Sequence, residues 1–90
     1  MLTADSFETL TINTTVTHLA SGNMPDGCKA VRLTPAAQAV RWRDDGGNPS
    51  TADGHYIAAN ESLYIESNSM GGLRVIGVAS GAKVNITYYT

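Results

Sequence analysis

A single cysteine, Cys28, stands among the 90 residues, so neither an intrachain disulfide nor a multi-cysteine metal site can staple the fold. Charge is also scarce: 16% of the residues carry it, six basic against eight acidic. Six cations cannot form the stripe that a phosphate backbone demands, which excludes nucleic acid as an expected partner. No apolar run approaches the roughly 20 residues of a membrane helix. The opening MLTADSFETL has neither the basic nor the apolar segment of a secretory leader. A soluble chain made in a cytoplasm is therefore expected. Helical periodicity is missing too, since no stretch holds a 3.6-residue repeat for more than one turn. Ninety residues suffice for one domain, 1–90, and not for a second core. A domain this small buries a modest share of its surface, so docking on a partner or self-association is expected to support it.

What the sequence does contain is alternation. In FETLTINTTVTHL, Phe7 is out of phase with Leu10 and Ile12, and β-branched threonines fill the places between. That segment fits one long strand, or two joined by a bulge near Asn13. Turn residues crowd Ser21–Gly27. A strand is predicted over Lys29–Thr34, with Val31 and Leu33 on one face and Ala30 and Arg32 on the other, ending at Pro35. VRWRDD alternates next, placing Val40 and Trp42 opposite Arg41 and Arg43. Gly46–Gly54 is the longest loop signal. Short strands around Tyr56 and Leu63–Glu66 follow. LRVIGV and KVNITYY then flank Gly81, a spacing that predicts a hairpin pairing Leu73–Val78 with Ala82–Tyr89. About seven short antiparallel strands at roughly ten-residue spacing predict an all-β fold, a small β-sandwich or jelly roll. Leu10, Ile12, Val31, Leu33, Val40, Trp42, Ile57, Leu63, Ile65, Val75, Val84 and Ile86 should lie inside.

Chemistry-bearing residues are few. His18 sits in a threonine-rich strand and reads as a surface or cross-strand residue. His55 follows Asp53 and Gly54, but no nucleophile accompanies that pair. Cys28, at a turn with no fixed histidine near it, reads as a half-buried structural thiol. Asp44, Asp45, Asn48 and Asp53 supply hard oxygens on a loop, as calcium requires, yet the twelfth position from Asp44 is His55 rather than glutamate. These acids are better explained as turn caps and partners of Arg41 or Arg43. Trp42 between two arginines could stack on a base or a sugar, although its phase with Val40 favours the core. Asn13, Asn60 and Asn85 each begin a glycosylation pattern, and a chain without a leader gives them no such use. No enzyme is expected, and neither a cofactor nor a metal.

From Val40 onward, VRWRDDGGNPSTADGHYIAANESLYIE and the later LRVIGVASGAKVNITYY resemble small proteins encoded in tailed-bacteriophage genomes. The shared features are an Arg-aromatic-Arg-Asp-Asp-Gly strand and loop, a Gly-His step into Ala-Ala-x-Glu-Ser, and a closing Tyr-Tyr pair. They cover about half the chain. The resemblance implies a virion protein, and for a small β-sandwich a capsid decoration or cement protein, bound to the major capsid protein at the capsid surface. A carbohydrate-binding or tail-associated adhesion module is the alternative, and exposure of Trp42 would favour it, since a sugar site needs an open aromatic beside fixed polar groups. The stretches least explained by a core are the Gly46–Gly54 loop with its acidic neighbours and the N-terminal segment. Asp44, Asp45, Asn48, Asp53, Met1, Leu2 and Thr3 are accordingly the predicted partner-binding residues.

Overall fold

A strand that alternates apolar and polar side chains can bury only one face, and two such sheets bury each other's. The computed structural model, which describes residues 2–68 and 70–90, has this arrangement. Eight strands run in order among the described residues: β1 (Ala4–Thr11), β2 (Thr17–His18), β3 (Ala30–Ala36), β4 (Val40–Arg43), β5 (His55–Ile57), β6 (Leu63–Glu66), β7 (Arg74–Gly77) and β8 (Lys83–Tyr89). The first sheet has the order β1-β8-β3-β6 and the second β2-β7-β4-β5, with every pairing antiparallel. The fold is thus the expected all-β sandwich. Among the described residues, two three-residue 3-10 turns, Leu19–Ser21 and Met70–Gly72, interrupt the strands and loops.

The core forms where the inner faces meet. Val31, Leu33, Val84, Ile86 and Tyr88 come from the first sheet, and Val40, Ile57 and Val75 from the second. Nine of the twelve predicted core residues are buried; Leu10, Trp42 and Leu63 are half-buried and pack against the cluster. Alternation missed Leu19, Met70 and Leu73, which plug the sandwich from turns and strand ends, where a period of two has no meaning. Thr3 and Thr90 exchange both main-chain hydrogen bonds, at 2.9 and 3.0 Å, and so extend the β1–β8 ladder.

Three local expectations are corrected. The predicted hairpin does not form: β7 lies in the second sheet and β8 in the first. Both sides of β8 are taken along its whole length, by β1 and β3, whereas the four-residue β7 pairs with β4 and β2. The intervening turn carries the chain from one sheet to the other, and Gly81 within it has φ +87, a left-handed conformation that glycine adopts without strain. Pro35 does not end its strand either. β3 continues to Ala36, and Pro35 is buried opposite Val84. Its carbonyl accepts from Asn60 N–H at 2.8 Å, on the side where pairing with β6 has stopped at Leu33. The N–H that proline lacks would point to that same side, so no ladder bond is lost. Finally, the threonine-rich segment is two strands separated by a turn, not by a bulge. Asn13 takes φ +50 and its side-chain oxygen accepts from Gly81 N–H at 2.8 Å, which turns the chain from the first sheet toward the second.

Candidate binding surface

The sequence predicts an open contact loop between β4 and β5, and the structure ties that loop down. Arg41 and Arg43 project outward from β4, and Arg74 from β7, opposite Arg43. Arg41 donates to the carbonyls of Thr51 (3.2 Å) and Gly54 (3.0 Å). Arg43 grips Asp45 with two nitrogens, at 3.0 and 2.5 Å, and donates to the Asn48 carbonyl. Arg74 reaches the Asn48 side-chain oxygen at 2.6 Å. Pro49 is buried under this frame, and Ile76, which shares the outward face of Arg74, is only 6% exposed. The loop therefore covers the outer face of the second sheet.

The predicted partner-binding residues divide accordingly. Asp45 is committed to Arg43 and to Gly47 N–H (3.1 Å), and these two contacts hold its carboxyl down at about pH 2. Asn48 spends both its oxygens on arginines. Asp44 is half-buried at the loop's start, and Asp53 is exposed, its main chain closed into a turn with Ser50. Leu2 lines a cavity of about 300 Å³ with Lys29, Glu66, Ser67 and Asn68, and Thr3 is tied to Thr90. Met1 lies outside the described residues. The structure thus puts the two groups on different sheets, the acidic loop over the second and Leu2–Thr3 beside the first.

The other singled-out residues have structural employment. Trp42 packs against the core with its ring 4.6 Å from that of His55, and its indole N–H is buried with no hydrogen-bond partner among the described residues. His18 is half-buried and links the two 3-10 turns: Nε2 donates to the Gly71 carbonyl, and the Ser21 hydroxyl lies 3.1 Å from Nδ1. Cys28 donates its thiol to the Ala30 carbonyl. Among the described residues no three of His, Cys, Asp or Glu are grouped to hold a metal.

What the residue-by-residue reading missed lies on the outer face of the first sheet. Register aligns Phe7 of β1 with Thr87 of β8, Arg32 of β3 and Tyr64 of β6, four side chains in one row across four strands. Phe7 is 63% exposed and Tyr64 41%. The Arg32 guanidinium sits 5.8 Å from the Tyr64 ring centre, and its Nε donates to the Tyr89 hydroxyl at 3.3 Å. The Tyr64 and Tyr89 rings meet edge to face at 5.4 Å, and Glu66 accepts from the Tyr64 hydroxyl. Threonines and amides frame this patch, with Thr9 bonded to Asn85 and Thr34 to Ser62 at 2.7 Å each. No loop is tied across it by the contacts that close the opposite face.

On the inner side of the same sheet, Glu8 accepts from the buried Tyr88 hydroxyl and from Asn23 Nδ2 (3.0 Å). Burial, then the neighbouring carboxylate, drives the Tyr88 phenol well above its ordinary range. The phenol stays neutral and donates to Glu8, while the other oxygen of the same carboxylate, through Asn23, fastens the Ser21–Gly27 turn to β1.

No known family model matches the chain, and neither a curated protein nor a solved structure matches it.

Proposed function

We propose that the chain is a structural virion protein of a tailed bacteriophage, a capsid decoration or cement protein that binds the major capsid protein and stabilises the head. The observation that carries this reading is the one-sidedness of the sandwich. One broad face is largely covered by an arginine-held loop, with Tyr56 left exposed on its edge strand, and the other presents aromatic and polar side chains on a nearly continuous sheet. A subunit that lies flat on a repeating shell needs one such face and no reaction chemistry. The resemblance from Val40 onward to small tailed-phage proteins supports the same reading. Trp42 gives the carbohydrate alternative no support, because it packs against the core beside His55 instead of standing open.

The test is sedimentation of the purified protein with empty shells assembled from the major capsid protein of the encoding phage. Saturable co-sedimentation is expected. Mass spectrometry of purified virions should find the chain in stoichiometric amount, and its absence from them would overturn the reading.

A further inference from the structure

The outer face of the first sheet has a charged centre, Arg32, with no carboxylate partner among the described residues. Of the four arginines, Arg41, Arg43 and Arg74 spend their guanidinium groups on the β4–β5 loop. Arg32 does not. Its bond is from Nε to the Tyr89 hydroxyl, and no carboxylate stands in ion-pair range of it among the described residues. The guanidinium is nevertheless held in place, by the Tyr64 ring on one side and Tyr89 on another. An arginine positioned this way loses little freedom on binding and presents a fork that matches a carboxylate.

The surrounding composition says what kind of partner fits. Arginine, tyrosine and phenylalanine are enriched in the centres of protein–protein interfaces and lysine is depleted there. The central row here is Phe7, Thr87, Arg32 and Tyr64, while Lys83 stands at the far end of β8, opposite Thr11. We infer that this face is the docking surface for a protein partner that places a carboxylate on Arg32 between the exposed rings of Phe7 and Tyr64. The partner's identity rests on the function proposed above. The face is small: four strands at about 4.8 Å and some eight residues at about 3.4 Å make roughly 500 Å², below the roughly 800 Å² per partner of a standard interface. One copy binds weakly, and firm attachment comes from copies linked to each other or to several shell subunits.

The experiment compares wild type with Arg32→Glu, Phe7→Ser and Tyr56→Ser in sedimentation with empty shells, after thermal melts confirm that each folds. Tyr56 is nearly as exposed as Phe7 but lies on the second sheet, so its variant is the control. Arg32→Glu and Phe7→Ser should each weaken binding at least tenfold, with Tyr56→Ser unchanged. Arg32→Lys, which keeps the charge and loses the fork, should recover some of the loss. Should wild type bind and both face variants bind equally well, the docking face is wrong and the capsid reading stands. Failure of the wild type to bind shells removes the capsid partner itself. Glycan binding that depends on Phe7 and Tyr64 would replace the protein partner and overturn the inference.

Discussion

At the scale of single residues, two carboxylates show how differently the same group can be used. Glu8 faces inward from the edge strand β1 and serves a fully buried hydroxyl, that of Tyr88. Glu8→Leu would leave that hydroxyl buried without an acceptor, which costs about 1–3 kcal/mol. Tyr88→Phe removes the donor and leaves a partly exposed carboxylate still bonded to Asn23, so its cost should not exceed about 1 kcal/mol. Denaturant titration of both single variants and the double variant checks this, and the double should fall short of the sum. Asp45 works at the surface. Its carboxyl lies at about 2 against an ordinary 3.8, because Arg43 and then Gly47 N–H favour the charged form. A depressed carboxylate contributes in full above its unfolded pKa and loses that contribution as pH falls through the folded one. The contribution to loop order should therefore be complete above about pH 4 and vanish toward pH 2. The Gly47 amide resonance should titrate with a midpoint near 2, and Arg43→Gln should move that midpoint up.

At the scale of elements, the strands were legible and their partners were not. Phe7 against Leu10 and Arg32 against Val31 read correctly as outward residues, and Tyr64 falls outward between Leu63 and Ile65, because phase within a strand is local information. That they form one row required knowing that β1, β8, β3 and β6 are neighbours, which no local pattern encodes. The loop misled for a related reason. The pairing of its acids with Arg41 or Arg43 was legible, and Asp45 keeps it with Arg43, but the further bonds to main-chain carbonyls and to Asn48 come from arginines spread from Arg41 to Arg74. Where the expected hairpin would have closed, the chain is tightly packed. A Cβ on Gly77 would overlap both the Asn13 carbonyl oxygen and Ala82 Cβ, so the end of β7 presses against the chain where it crosses between sheets. Gly77→Ala should cost about 2–3 kcal/mol through this overlap. Gly71→Ala, with nothing within 4 Å, should stay within about 0.5 kcal/mol. Equal melting temperatures for the two would show that the crossing is not closely packed.

At the scale of the whole molecule, the longest-range link is the one between β1 and β8, which brings residue 3 against residue 90. Mechanical load meets that ladder very differently depending on where it is applied. Tension across residues 3 and 90 pulls both strands from the same end, so the hydrogen bonds break in succession and β1 peels. Tension across residues 11 and 90 pulls from opposite ends of the ladder, and the bonds share the load. Single-molecule pulling should find the second arrangement markedly stronger, and equal rupture forces would show that the resistance lies elsewhere in the molecule. A tether at the first strand's beginning thus works as a zipper pull, and one at its far end works as a rivet.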